Sequence, residues 1–491
     1  MIGIHSVEQI RAAEQEYMAA HPQDDLMQIA AQWVTTRAEQ MTDEPGFILV
    51  AVGPGHNGGD GLFAARNLAR AGRQVVVWLV TGRAHAQGVV AARQAGIRFI
   101  DSVTVMRMLP DIALVIDAII GLGARPGLPE KVNWFAEACQ TLSIPVLAVD
   151  LPSGLTADHH ERSLHHMNAD VTITFAAPKL CHLAQPAASC CGAVEIADVG
   201  LNLPDAELRQ MQRVDVARWW PWPTPYADKY SRGVLGIDTG SDRYPGAAVL
   251  SVIGALYSGV GMVRYTGPQR AADFVLGRQP SVTLGRGRVN AWLAGSGWGI
   301  GNGRERLRPI LESGLPAIID AEALDDLPEE LPEGWLLTPH AGELAAMLGI
   351  TRTQVVDDPI GSARVAAARW HTTVLLKGAT QYVAEPGGTV TLAVPGPAWT
   401  AQAGSGDVLA GICGTLLAAG LPAWRAAAIG ASVQALAATR KSGPFPPDEV
   451  ATAIPEVLSD LAEVVGAQAI RTGAFTPRAL SRPSSGRAVG R

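Results

Sequence analysis

Short apolar runs recur along the first half of the chain at 47–52, 75–80, 114–116, 145–149 and 171–175. Stretches with helically spaced apolar residues lie between them, at 62–71, 85–95 and 131–142. Ahead of these, residues 1–45 read as helical, with Val7, Ile10 and Ala13, then Leu26, Ile29, Ala30, Trp33 and Val34 at helical spacing. Strand and helix in alternation predict a parallel sheet covered on both faces. The pattern breaks over 203–232, where Trp219, Trp220, Pro221, Trp222, Pro223, Pro225 and Tyr226 crowd together. So proline-rich a run predicts a linker without regular structure, its tryptophans packed on a domain surface. Alternation then restarts, with apolar runs at 234–238, 291–294, 317–320, 335–338 and 374–377. Helices are expected at 246–259, 303–313, 341–348, 360–371, 407–419 and 422–440. The expected organisation is α/β in two domains: 1–210, a Trp/Pro-rich linker at 211–224, and 225–465. The tail 466–491 holds five Arg and no acidic residue and is expected to be disordered.

Composition narrows the classes. At 491 residues, 48% hydrophobic and 17% charged, the chain buries full cores and is not a disordered polymer. A net charge of -7 and an aromatic share of 5% give no general attraction to nucleic acid or anionic lipid. No uninterrupted apolar stretch reaches the roughly 18 residues of a membrane span; the window 248–263 is broken by Ser and Gly. The N-terminus lacks the basic flank and apolar run of a signal peptide. Five cysteines (Cys139, Cys181, Cys190, Cys191, Cys413) make no disulfide framework, and a reducing cytoplasm is the expected home. The spacing of Cys181, His182, Cys190 and Cys191 fits no usual zinc pattern, so buried apolar thiols are expected there.

Three loops of the first half carry chemistry. After the run ending at Val52 comes Gly53-Pro54-Gly55-His56-Asn57-Gly58-Gly59-Asp60-Gly61, five glycines in nine residues. Glycine permits positive φ and close backbone approach to a ligand, and a following helix start can hold phosphate. A tight strand-to-helix turn would use the same glycines, yet would not need Asn57 and Asp60 as well. Asp117 leads into Gly121-Leu122-Gly123-Ala124-Arg125-Pro126-Gly127, and Asp150 leads into Leu151-Pro152-Ser153-Gly154. Ligands of open α/β sheets bind outside the carboxyl ends of the strands, so these loops should meet at one crevice.

The HNGGDG, DAIIGLG and VDLPSG loops, in that order, resemble the N-terminal epimerase domain of NAD(P)H-hydrate repair enzymes over roughly residues 1–210. The resemblance implies a Rossmann-like three-layer α/β/α fold, interconversion of the R and S hydrates of NADH and NADPH, and a bound potassium ion. It implies potassium oxygens from Asn57, Asp117 and Ser153. The hydrate would be held by His56, Asn57, Gly58, Gly59 and Asp60, by Gly121, Leu122, Gly123, Ala124, Arg125, Pro126 and Gly127, and by Asp150. Epimerisation at a hemiaminal-like carbon needs a proton donor and acceptor, and Asp150 is the candidate. The family usually has Asn where this chain has His56.

In the second half, Gly404-Ser405-Gly406-Asp407 runs from a loop into an apolar helix. Backbone N–H groups there form an anion hole for a transferring phosphoryl group. Asp407 falls in the first turn, where the helix dipole should favour its ionised form. A carboxylate so placed can take the proton of a hydroxyl that attacks phosphate; an ordinary first-turn acid is the plainer alternative. The order KYSRG, PGAA, TPHAGE, LKGAT, GSGD over about 225–465 resembles the ribokinase-like dehydratase domain of the same repair enzymes. The resemblance implies adenine-nucleotide contacts from Lys377, Gly378, Ala379, Thr380, Gln381 and Gly406. It implies hydrate contacts from Ala247, Gly297 and His340, with Asp407 as the base. ADP or ATP with magnesium would phosphorylate the hydrate, and Asp320 and Glu343 are carboxylates available near the metal. The Asn-Pro-Gly stretch usual upstream of the family's nucleotide loop is replaced by Pro397-Ala398-Trp399.

The expected protein is therefore a cytoplasmic homo-oligomer acting on NAD(P)H hydrates and an adenine nucleotide, without nucleic-acid or membrane partners. The competing reading is a ribokinase-like vitamin or sugar kinase carrying a non-catalytic N-terminal binding domain. A kinase would leave a stable phosphorylated product; a dehydratase would release phosphate.

Overall fold

The computed structural model describes residues 1–23, 25–42, 46–123, 125–299, 301 and 303–466. Two compact units divide the chain, Ile2–Gln210 and a second beginning at Met211.

The first unit is built on seven parallel strands. Their spatial order is Arg98–Ile100, Val75–Leu79, Phe47–Val52, Ile112–Ala118, Val146–Val149, Val171–Phe175 and Ala193–Ala197. Successive residues of Phe47–Val52 point to opposite faces. Ile48, Val50 and Val52 pack with Val34 and Ala38 of helix Leu26–Met41 and with Leu62 and Leu68 of helix His56–Arg70. Leu49 and Ala51 pack with Phe135 and Cys139 of helix Asn133–Thr141. Both faces are thus apolar and covered, which gives the three layers. The 1–45 region is not wholly helical: Ile2–Ile4 is a strand paired antiparallel with Leu208–Gln210, followed by helices Val7–Ala20 and Leu26–Met41. Ser6 and Asp25 cap these helices, each accepting from first-turn amides.

In the second unit Val234–Asp238 lies beside Met262–Tyr265 on one side and Ala291–Ala294 on the other. Ala317–Ile319, Leu336–Leu337 and Thr373–Leu376 extend the parallel sheet, and Tyr382–Ala384 and Val390–Leu392 add antiparallel strands. Helix Ser405–Ala418 is buried from Val408 to its end and crosses helix Pro245–Tyr257 at backbone contact. A Cβ on Gly254 would lie 2.3 Å from the Val408 carbonyl oxygen, and one on Gly411 would lie 2.2 Å from that of Ser251. Among the described residues, no helix is long and apolar enough to cross a membrane.

The stretch read as a linker is not one. Arg213–Trp219 forms a helix, and Met211, Val216, Ala217 and Trp220 are part of the second unit's core. The Met211 amide donates to the Leu392 carbonyl at 2.8 Å, and Trp219 stacks edge-on against Trp424. The prolines follow the helix rather than interrupt it, since Pro221 comes after its last residue. The arginine-rich tail beyond Gly466 lies outside the described residues.

A fragment starting at residue 225 would lack four buried core side chains. We expect a 211–466 fragment to fold cooperatively and a 225–466 fragment to melt lower or precipitate. Trp220→Ala in the whole chain should cost about 3–5 kcal/mol, as large-to-small core changes do, measured by denaturant unfolding.

Candidate functional site

Each sheet has a point where the chain reverses its direction of growth, and strand ends diverge there to leave a crevice. In the first unit this falls between Phe47–Val52 and Ile112–Ala118. The Gly53 amide donates to the Ala118 carbonyl at 3.0 Å, which ties the starts of the two loops together. The HNGGDG run is the first turn and a half of helix His56–Arg70, not a free loop. None of Gly53, Gly55, Gly58, Gly59 and Gly61 has a left-handed φ, and all but Gly55 sit where a Cβ would meet a neighbour. A Cβ on Gly53 would sit 1.7 Å from the Ile119 carbonyl oxygen, and one on Gly58 would sit 2.2 Å from that of Gly53.

Asp117 is fully buried at the end of its strand. Its carboxylate accepts from the Ser153 hydroxyl at 2.6 Å, the Ser153 amide at 2.8 Å and the Ile119 amide at 3.3 Å. Burial pushes its carboxyl up to about 6, against those hydrogen bonds. The Ser153 hydroxyl also accepts from the Ile120 amide at 2.9 Å. The Asn57 side chain lies against Gly121, where a Cβ would be 3.0 Å from Asn57 Oδ1, and Asn57 Nδ2 is buried with no hydrogen-bond partner. Asn57, Asp117 and Ser153 are therefore tied to one segment, 119–121.

Asp150 follows strand Val146–Val149 with φ +67, a conformation L-residues avoid. It is 4% exposed. Its Oδ1 accepts from Lys179 Nζ at 2.6 Å and from the Thr174 hydroxyl at 3.2 Å. Lys179, absent from the sequence expectations, is wholly buried. A lone lysine in the apolar run Ala176-Ala177-Pro178-Lys179-Leu180-Cys181 was the available signal. Glu14, on helix Val7–Ala20, was missed as well. Its carboxyl is raised by burial and by the charge of Asp150, with Lys179, His56 and Arg11 opposing. Asp60 is raised well above the usual range by burial, then by Asp150, Glu14 and Asp25. Three carboxyl groups thus share one field around one buried ammonium.

The remaining expected residues fall around this cluster. His56 is exposed at the helix start, while Gly58 and Gly59 are buried beneath it. The Leu122 carbonyl accepts from Arg11 at 3.2 Å, and Gly123, at φ +85, leaves room for that guanidinium. Arg125 and Pro126 are exposed and line a cavity of about 410 Å³ with Thr156 and His159. The Gly127 amide donates to the Gly154 carbonyl at 2.9 Å. Ala124 lies outside the described residues.

In the second unit the crevice lies between Val234–Asp238 and Ala291–Ala294. Gly297 has φ +70, and a Cβ there would strike that of Ala247 at 2.6 Å, so these two expected residues are neighbours. The Gly297 and Gly299 amides donate to the Glu322 carboxylate at 3.1 and 3.4 Å. Asp320, after strand Ala317–Ile319, is 2% exposed and pairs with Lys377. It also accepts from the hydroxyls of Thr338 at 2.8 Å and Ser296 at 2.9 Å. Burial works against the Lys377 charge, but Asp320 and Glu343 outweigh it and hold the ammonium protonated. Lys377 Nζ is 3.9 Å from Glu343, and a Cβ on Gly406 would lie 3.4 Å from that Nζ. His340 caps helix Ala341–Leu348, its Nδ1 accepting from Gly342 and Glu343 at 3.0 Å while most of its ring faces solvent. Gly378 and Ala379 are exposed, Thr380 is half-buried beside them, and Gln381 Oε1 is buried without a partner.

Asp407 sits in the first turn of Ser405–Ala418 behind Gly404 at φ +87. The expected ionisation by the helix dipole does not prevail. Burial, then the charge of Asp320, pushes its carboxyl up to about 7, with a Ser296 hydrogen bond and Lys377 opposing. Among the described residues, no three His, Cys, Asp or Glu side chains form a metal cage.

Two family models match this chain. One, described as NAD(P)H-hydrate dehydratase, covers residues 235–456; the other, described as YjeF-related protein N-terminus, covers 23–181. A bifunctional NAD(P)H-hydrate repair enzyme of Mycobacterium leprae is 38% identical over 485 residues, which is 94% of this chain and 99% of that one. Its namesake in Mycobacterium tuberculosis is 39% identical over 444 residues, 86% and 91% of the two chains. A solved ADP/ATP-dependent NAD(P)H-hydrate dehydratase from Bacillus subtilis superposes with a TM-score of 0.49 at 23% identity, covering 52% of this chain and 98% of that one.

The raised Asp407 carboxyl has a stability consequence. The folded state holds its proton more tightly than the unfolded chain, so stability falls as pH rises between the ordinary value of 3.8 and about 7. Asn in its place carries no such penalty. We expect Asp407→Asn to raise the Tm of the second unit at pH 8, and the gain to shrink as pH falls below 7, read by calorimetry.

Proposed function

This chain belongs to the bifunctional NAD(P)H-hydrate repair enzymes, and on that premise we propose how its two crevices divide the work. The protein is an isomerase and a lyase in one chain, epimerising hydrated NADH and NADPH and dehydrating the S form back to the reduced dinucleotide. The kinase alternative is set aside, since the model matching 235–456 is that of a hydrate dehydratase.

In the first unit we assign Asp150 as the acid/base. Its carboxylate takes the proton of the hemiaminal hydroxyl as the carbon–nitrogen bond opens, and returns it when the ring closes on the other face. We propose that Asp60 or Glu14, both raised toward protonation, gives the ring nitrogen its proton on opening and takes it back when the carbon–nitrogen bond re-forms. The hydrate lies along His56–Asp60 and 121–127. Asn57, Asp117 and Ser153 would hold a potassium ion. The donor set is all oxygen, and the groups that offset the burial of Asp117 are hydrogen bonds rather than a cationic side chain. The ion would supply that missing positive charge.

In the second unit Asp407 accepts the hydroxyl proton as the hydrate oxygen attacks the terminal phosphoryl group. First-turn amides have no intrahelical partner, so those at Gly406 and Asp407 can receive the phosphoryl oxygens. Lys377 holds the nucleotide phosphates, with Gly378, Ala379, Thr380 and Gln381 along the nucleotide and Ala247, Gly297 and His340 along the hydrate. Phosphorylation turns hydroxide, a poor leaving group, into phosphate. Phosphate departs with the carbon–oxygen electron pair, and loss of a ring proton restores the double bond. Magnesium would neutralise the nucleotide's charge, bound mainly by phosphate oxygens and water, with Asp320 and Glu343 as the carboxylates near it. The proposed donor is ADP, giving AMP and phosphate. All five cysteines are free and buried, which suits the reducing cytoplasm where we place the protein.

The observation that carries the reading is Asp407: half-buried, behind a left-handed glycine, beside the Asp320–Lys377 pair, with its carboxyl near neutrality. The direct test supplies mixed hydrate epimers with ADP or with ATP and follows recovery of reduced-nicotinamide absorbance and release of phosphate. A stable phosphorylated hydrate instead would overturn it. Asp407→Asn should lower dehydration by about 10²- to 10⁴-fold, with nucleotide affinity unchanged in titration calorimetry. In the wild type, kcat/KM should fall as pH drops through about 7, because the base must be ionised. Asp150→Asn should abolish epimerisation while S-hydrate dehydration persists, measured on separated epimers.

A further inference from the structure

Resting on the assignment of Asp150, we propose that Lys179 and His182 are positioning residues of the epimerase site, a two-point clamp that fixes Asp150 by its side chain and by its backbone. The spacing around His182 fits no zinc pattern, and its ring has another task.

His182 is 3% exposed. Its Nδ1 receives the Lys179 backbone N–H at 3.0 Å. Its Nε2 lies 2.9 Å from the Asp150 carbonyl oxygen. An amide only donates and a carbonyl only accepts, so the ring is neutral with its proton on Nε2. The imidazole therefore joins the backbone of Lys179 to the backbone of Asp150. Lys179 closes the loop from the other end. Its ammonium donates to Asp150 Oδ1 at 2.6 Å and to the Thr174 hydroxyl at 2.7 Å, and its third donor faces the Phe175 carbonyl at 3.4 Å. All three ammonium donors are directed at oxygens, as a fully buried lysine requires.

The target of this clamp is a residue under strain. Asp150 at φ +67 occupies a region unfavourable to a non-glycine residue, one that persists only where its surroundings over-determine it. The Asp150 amide is fixed by the Ile173 carbonyl at 2.7 Å; His182 fixes the carbonyl, and Lys179 and Thr174 fix the carboxylate. Every polar group of the residue is thereby held. The clamp thereby also fixes the charge that raises the carboxyls of Asp60 and Glu14. Neither Lys179 nor His182 has to touch substrate for this, because both act through Asp150.

The experiment uses the whole chain, with folding of the first unit checked by its own unfolding transition and the dehydratase serving as an internal activity standard. His182→Leu removes both hydrogen bonds, and epimerisation should fall about 10- to 100-fold, the usual cost of misplacing a reacting group by about an ångström, with S-hydrate dehydration at the wild-type rate. His182→Gln offers one donor and one acceptor and should restore most of the loss. Lys179→Met leaves Asp150 buried without its cation, facing Asp60, Glu14, Thr174 and the His182 ring. The acid limb of its epimerisation kcat/KM profile should then move to higher pH, which a purely structural lysine would not do. Wild-type epimerisation in His182→Leu, a Gln variant as slow as the Leu variant, or an unmoved acid limb in Lys179→Met would each overturn the clamp. Asp150→Asn is run beside them. If it is inactive while the clamp variants are fast, the clamp alone fails; if it is active, the assignment of Asp150 fails first.

Discussion

A carboxylate buried at the end of a parallel strand needs a positive partner, and the arrangement of both units follows from where that partner is supplied. Asp150 has Lys179, Asp320 has Lys377 and Asp238 has Arg306. Losing one member of such a pair leaves an uncompensated charge, at a cost of about 3–5 kcal/mol. The acids that share the same field without an ammonium of their own, Asp60, Glu14 and Asp407, are all pushed toward protonation. Burial raises Asp238 as well, despite Arg306; of the acids named here, Asp407 comes to about 7, where a carboxyl can exchange a proton near neutral pH.

Much of this was legible in the sequence. Glycine with Asn or Asp directly after an apolar run marks a strand end, and the strand ends of each unit gather at its reversal point. The apolar strand cores and helices such as Gly303–Ser313 and Ala341–Leu348 carried clear periodicity. The errors have physical causes. Tryptophans around 219–222 looked like a surface linker because the prolines were weighed as part of the same run; the helix ends before them, and its apolar face completes the second core. Three-residue strands such as Tyr382–Ala384 and Arg98–Ile100 are too brief to show a period.

The candidate sites were legible in their motifs and hidden in their supports. Lys179 and Glu14 lie far from the motif loops in sequence, and only the sheet order brings them to Asp150. Asp407 was placed correctly in a first turn, but dipole reasoning assumed a solvated helix end. In the folded chain desolvation and Asp320 outweigh the dipole, because a helix end contributes only about half a charge.

The glycines after Val52 carry a further consequence. A side chain on Gly53 or Gly58 would collide with backbone carbonyls that belong to the sheet and turn, so these positions are dictated by how the helix seats on its strand. A descendant of this protein that had lost all epimerase activity would still need them in order to fold. The glycine-rich signature is therefore a record of architecture, and a survey of genomes that counts it as evidence of repair capacity would count silent copies too. The more informative letters are the acid at position 150 and the lysine twenty-nine places later, because folding alone would allow both to be replaced together by apolar residues.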